Sequence, residues 1–308
     1  MGSAGGKTMN SVPGAKRSGF RRLRTWLLSI LALLIAGIAF LLVYNNFSLR
    51  SQSRAEFDAQ LDRELDKAID WILRDPRVSQ QNPAVMYMVA DMESMSHDPR
   101  LTKFLDDYRQ SIFLLLPRSS IDFTWSRLVN PRAPVPAVSA RELEHRSFEL
   151  RWDAYAIAPD KIQLSQEDRA DMFSATKYVW GMRQHQLLAL VMYRHFNGST
   201  PELAQTMNYL SEKIVRDAHY DFRVSDSYIQ RTTFVLAAGR PDLIRSRWVE
   251  RIMANQNADG SWSYCWYGWC RGVLEFNVYN PGHATVQAAW ALTMLKYRYP
   301  QWVEEHFK

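Results

Sequence analysis

Apolar positions recur at intervals of three or four through most of this chain, and one stretch near its start is apolar without a break. From Trp26 to Tyr44, nineteen residues carry no charge. At 1.5 Å per residue such a run extends about 28 Å as a helix, close to the hydrocarbon thickness of a bilayer. The pattern predicts one transmembrane helix over residues 26–44, in contact with lipid, with Trp26 and Tyr44 at the two headgroup levels. Further on, Phe57, Leu61, Leu65, Ile69 and Ile72 share one face of an amphipathic helix over 51–74. Asn82-Pro83 and Asp98-Pro99 each join a capping residue to a proline suited to a first turn, which predicts helices over 83–96 and 99–113. Between Leu116 and Val138 the prolines Pro117, Pro131, Pro134 and Pro136 break the period, and a long loop is expected. Helical signals return over 139–152, at the capping-box-like start Ser165 to Asp168, and over 176–196, where Asn197-Gly198 stops the helix. They continue over 200–217, 225–239, 241–255 and 284–297. No alternation of period two runs beyond four residues, so the body reads as all-α, with about ten helices.

Charge changes the picture in one place. The chain has 38 Lys and Arg against 32 Asp and Glu, a formal +6. Lys7, Lys16, Arg17, Arg21, Arg22 and Arg24 account for the whole excess, and everything after residue 25 is neutral. No basic field remains for nucleic acid, because phosphate binding needs a local excess of Lys and Arg. The basic tail instead orients the membrane helix: positive flanks stay in the cytoplasm, which places residues 45–308 outside it, in a periplasm or an equivalent compartment. A cleaved signal peptide is the competing reading, but the apolar run is longer than the usual h-region and no A-x-A-like site follows it. The expected organisation is a disordered cytoplasmic tail over 1–25, the membrane helix over 26–44, a helical region over 45–138 ending in the Pro-rich loop, and a further helical region over 139–308.

Residues 247–262 read RWVERIMANQNADGSW, followed by HATVQAAWALTML over 283–295. The first of these resembles the QW repeat of the terpenoid cyclases and protein prenyltransferases, matched here by Gln256, Gly260 and Trp262. Physically, an aromatic ring after an Asp-Gly turn can stack on the Gln256 amide and staple a helix end. The resemblance implies an α/α toroid over about residues 170–300, with Ala284, Val286, Ala288, Ala289, Trp290, Leu292, Met294 and Leu295 on a buried inner helix. It does not carry the cyclase chemistry, since the D-x-D-D acid motif and the D-D-x-x-D diphosphate motif are both lacking.

Between Trp262 and His283 lies WSYCWYGWCRGVLEFNVYNPGH. Cys265 and Cys270 can close a disulfide across a Gly turn in an oxidising compartment, or join His283 as zinc ligands. The zinc reading draws on the prenyltransferases and on the zinc-dependent lanthionine cyclases, whose W-C-x-G run resembles Trp269-Cys270-Arg271-Gly272; neither match is complete. Trp262, Trp266 and Trp269 are candidate walls of an aromatic cavity for a small-molecule, glycan or peptide ligand. His185, Asp226, Glu275 and His283, expected at the mouths of inner helices, are the candidate acid–base groups, with a core role for His185 and an N-cap role for Asp226 as the plainer alternatives. Asn46-Phe-Ser48 and Asn197-Gly-Ser199 match the glycosylation pattern. Three functions fit these features: a membrane-tethered toroid that binds a ligand in an aromatic-lined cavity, a non-enzymatic assembly subunit, or a zinc-dependent transferase or cyclase.

Overall fold

The computed structural model describes residues 15–48, 52–80, 83–115, 120–128, 130–176, 181–262 and 281–308. These residues are mostly helical and, among them, no strand forms. The chain divides into two compact units, Met1–Tyr44 and Asn45–Lys308.

The first unit holds nearly all of α1 (Ala15–Asn46). Its stretch from Arg22 is long and apolar enough to cross a membrane. Trp26 is 70% exposed and Leu33 73%, and none of the most apolar window is buried within the protein, so this surface finds cover only in lipid or a partner. The helix begins well before Trp26: residues 15–25, expected to be disordered, continue it, because no proline or glycine pair interrupts the Lys- and Arg-rich turns. Residues 1–14 lie outside the described residues.

The second unit opens with two buried asparagines. Asn45 donates to the Ala218 and His219 carbonyls at 3.0 and 3.1 Å and accepts from Tyr228 Oη and from the Arg251 guanidinium. Asn46 donates to the His219 carbonyl at 2.9 Å and accepts from Trp248 Nε1 at 3.3 Å. Asn197 Nδ2 is likewise engaged, by the carbonyls of Ala156 and Tyr193. Both asparagines of the glycosylation patterns therefore hold structural hydrogen bonds.

Helices follow where the caps predict them. Ser53 closes a capping box on α2 (Arg54–Arg74), and α3 (Pro83–Ser96) and α4 (Pro99–Leu115) start on their prolines. The expected long loop contains a 3-10 segment, Ser120–Leu128, whose Ile121 and Trp125 join the core. The helix expected over 139–152 is two pieces, α5 (Ala140–Leu143) and α6 (Phe148–Ile157), because Ser139 and Ser147 each cap a separate start. Then come α7 (Gln166–Met172), α8 (Gly181–Asn197), α9 (Pro201–Tyr220) and α10 (Asp226–Ala237). Gly198 and Gly239 follow α8 and α10 with φ of 85° and 92°, the left-handed conformation that ends a helix. Pro241 starts only a short 3-10 turn, and α11 runs from Ser246 to Ala254. After α12 (Pro281–Thr293) a wide turn over Met294–Arg298 leads into α13 (Pro300–His306), a helix the apolar period did not announce.

Packing among these helices orders them. α6 packs on α8, α8 on α10, α10 on α12 and α12 on α3, while the segment Ser120–Leu128 packs on both α3 and α6. Six elements thus close a cycle of neighbours, and α2, α4, α7, α9 and α11 each pack against its members. The helices of the cycle carry much of the core, with Trp152, Phe234 and Trp290 wholly buried.

Candidate functional site

Three members of the cycle, α8, α10 and α12, bring polar side chains near their N-terminal ends toward one another. Each of these ends exposes backbone N–H groups and the positive pole of a helix dipole, a setting that favours acceptors and anions.

Asp226 is the first residue of α10 and His283 the third of α12. The expected capping role falls to Ser225 instead, whose hydroxyl accepts from Tyr228 N. Asp226 is free to turn toward α12, and its Oδ1 lies 2.9 Å from His283 Nδ1. A carboxylate only accepts, so Nδ1 carries a proton and donates it to Asp226. A glutamine one turn along its own helix holds each partner: Gln230 Nε2 donates to Asp226 Oδ2 at 3.0 Å, and Gln287 Nε2 lies 3.0 Å from His283 Nε2. The pair stays accessible, with side chains 27% and 21% exposed for His283 and Asp226.

His185 lies on the second turn of α8, the neighbour of α10. Burial lowers its pKa below the usual histidine value; His283 adds to the fall, while Glu149 and Asp226 oppose it. It is therefore held neutral at pH 7, in electrostatic reach of the Asp226–His283 pair. Gln184, one residue earlier, donates to the Ser227 carbonyl at 3.3 Å, on the turn that carries Asp226.

On α6, Glu149 acts electrostatically on His185. Asp153, one turn further along, is 4% exposed, and burial, reinforced by the charge of Glu149, pushes its carboxyl up to about 8. Sequence reasoning missed Asp153, although a signal existed: it is the single acid in the apolar run Trp152 to Ile157.

Of the four candidate acid–base residues, Asp226 and His283 thus pair directly and His185 lies in electrostatic reach of both. Glu275, Cys265, Cys270, Trp266 and Trp269 lie outside the described residues, as does any disulfide or zinc site that involves them. Among the described residues no three His, Cys, Asp or Glu side chains group as a metal site.

Trp262 is wholly buried. Its Nε1 donates to the Ile252 carbonyl at 2.7 Å, stapling the end of α11, and its backbone N donates to Thr285 Oγ1 at 3.0 Å, tying the turn to α12. Gln256 bonds differently from the expected stacked amide: its Nε2 donates to the Glu64 and Gly260 carbonyls at 2.7 and 3.1 Å. Trp262 is thus a core and staple residue on this evidence of contact, and the QW unit secures the start of the helix that carries His283.

Comparison with protein-family models, curated proteins and solved structures gives no match.

Proposed function

We propose that this chain is a single-pass membrane protein whose body, outside the cytoplasm, forms an α/α toroid and binds a ligand at the mouth made by the N-terminal ends of α8, α10 and α12. The site works by acid–base chemistry, with Asp226 orienting His283 as the proton acceptor. The observation that carries this reading is the convergence of Asp226 and His283, 57 residues apart, at 2.9 Å, with His185 in electrostatic reach. Three further features support it. The cycle of helix neighbours from α3 through α12 is what a toroid requires. The QW-like unit resembles that of the terpenoid cyclase superfamily, whose inner helices also bring functional side chains to a common mouth. The six basic residues before Trp26 favour a cytoplasmic N-terminus.

Full-length protein with labelled histidines, held in lipid nanodiscs, tests the site. A ligand from cell-envelope extract is expected to shift the imidazole signals of His185 and His283 while leaving His97 and His306 unmoved, and Asp226→Asn is expected to weaken that response at least tenfold. A response confined to other histidines, or none, overturns the reading. Labelling of the body by a membrane-impermeant reagent in intact cells tests its placement.

One observation favours a zinc-dependent transferase or cyclase as a second reading. A histidine that ligates zinc usually donates its other ring N–H to a carboxylate, as His283 does to Asp226. Cys265 and Cys270 would complete such a site, and bound zinc would act there as a Lewis acid. Stoichiometric metal with two free thiols in the purified chain supports this reading; absence of metal together with a disulfide removes it.

A further inference from the structure

Among the described residues of the body, Phe47, Tyr220 and Tyr297 are the large hydrophobic side chains left exposed. The fold brings two of the three together. Asn46 Nδ2 donates to the His219 carbonyl at 2.9 Å, so Phe47 and Tyr220 each follow one member of a hydrogen-bonded pair, and they are 57% and 66% exposed. A guanidinium accompanies each ring. Arg245 lies over the Phe47 ring, 5.3 Å from its centre, and donates to the Asn46 carbonyl at 3.2 Å. Arg216 is exposed one turn before Tyr220, on the same face of α9.

Neither arginine pairs with a carboxylate among the described residues, whereas nearby acids are already taken: Asp221 by Arg223 and Arg231, Asp217 by Arg183 and Glu250 by Arg247. Two uncompensated cations beside two exposed rings suit the polar layer of a bilayer, where rings settle at headgroup depth and cations meet lipid phosphates. The place of the patch in the chain agrees. α1 runs to Asn46, so Phe47 stands about 4.5 Å beyond Tyr44 along the helix, within a headgroup layer of roughly 5–7 Å. A protein partner would suit the same side chains, but a spanning α1 holds lipid beside this patch at all times, whereas a protein must find it by diffusion.

Resting on the reading of α1 as a membrane span, we propose that Phe47, Tyr220, Arg216 and Arg245 form a headgroup-binding surface on which the body docks against the bilayer. The two rings enter the polar layer and the two guanidiniums pair with lipid phosphates. Tyr228, which donates to Asn45, and Asp226 share the first turn of α10, so a body docked in this way holds its acid–base pair close to the headgroups.

The test uses the full chain, labelled with fluorotyrosine, in vesicles of phosphatidylcholine and phosphatidylglycerol that carry a nitroxide on the lipid headgroup. Fluorine NMR reads Tyr44, Tyr220 and Tyr297, each assigned by the signal lost on substitution by Phe. Tyr297 is the internal control, since it lies past the other end of α12 from His283, about 20 Å away. The nitroxide is expected to broaden Tyr44 and Tyr220 and to spare Tyr297. Arg216→Gln and Arg245→Gln should each lower the ratio of docked to free body about fivefold, read as lost broadening of Tyr220 with Tyr44 unchanged, and removal of phosphatidylglycerol should act in the same direction. Should Arg245→Gln fail to fold, Arg216→Gln carries the test, since Arg216 bonds to none of the described residues. Broadening of Tyr44 with Tyr220 unaffected overturns the surface and leaves the membrane span standing, while broadening of neither overturns both. Equal broadening of Tyr220 in the parent and both variants overturns the pairing with phosphates and the proposal with it. Tyr220 shielded from a water-soluble nitroxide yet untouched by the lipid one means that a protein covers it, which also overturns the proposal.

Discussion

Two turns of α12 separate His283 from Trp290, and the polar groups around the two positions are arranged on opposite terms. Around Trp290, the buried Asp91 of α3 accepts from Trp290 Nε1 at 2.7 Å and from Arg298 at 2.9 and 3.0 Å. Every strong donor there meets a strong acceptor. Around His283 the groups are open instead: His283 and Asp226 are 27% and 21% exposed, and the neutral His185 lies in electrostatic reach of both. A closed network fixes a core, whereas an open one leaves groups able to bind or react.

That contrast can be broken in four ways. The largest effect is expected from pH. Asp153 keeps its proton in the folded chain up to about 8 but ionises near 3.8, the ordinary aspartate value, once unfolded. Between these values the folded state binds the extra proton, so stability falls as pH rises from about 4 to 8 and then levels, by several kcal/mol at this site. Urea unfolding of Asp153→Asn at pH 5, 7 and 8.5 should show that decline removed, leaving the variant more stable than the parent at pH 8.5. Next, Asp91→Ala strands the buried Trp290 Nε1 and removes the carboxylate that Arg298 pairs with, and should cost about 2–3 kcal/mol at any of these pH values, with ligand binding at the mouth unchanged. Trp262→Phe loses the donor to Ile252 and should cost about 1–2 kcal/mol, read as a lowered denaturation midpoint at constant slope. The smallest effect belongs to His185. Its folded pKa is depressed, so its stabilising contribution is present above the unfolded value of about 6.5 and is lost as pH falls through it toward the folded pKa. In His185→Gln that acid-side loss should vanish from the unfolding curve between pH 7 and 5. If Asp91→Ala altered binding as strongly as changes at the mouth do, the division between the two ends would fail.

Local chemistry explains which parts of this arrangement were legible beforehand. Caps and prolines at Ser53, Pro83, Pro99, Thr200 and Ser225 act over a few residues, and the starts of α2, α3, α4, α9 and α10 fall where they point. The split between α5 and α6 was not legible, since Ser147 reads as a cap only once the backbone before it has turned away. His185, Asp226 and His283 could be named because polar residues at the start of apolar helices are few. Asp153 could have been, as the single acid in the run Trp152 to Ile157, but Gln230 and Gln287 could not, because what marks them is contact with partners on a folded helix face. The apolar stretch from Arg22 was plain from composition, yet its extension back to Ala15 depends on helix propagation through charged residues.

Gly260 deserves a last consequence. With φ of 96°, it lies so close to α2 that an added methyl group would stand 2.3 Å from the Lys67 carbonyl, and Gln256 reaches the Glu64 carbonyl of the same helix. The first helix of the body is thus clasped by a turn almost two hundred residues later. An emerging chain can wind α2 early and dock it on α4, where Arg100 pairs with Asp66 and Asp70, but its contacts with α11 and α12 wait until nearly all of the polypeptide has been made. Completion of this core must therefore be a late event, and the half-made product, its apolar faces still open, is the form most exposed to proteases and in greatest need of a chaperone.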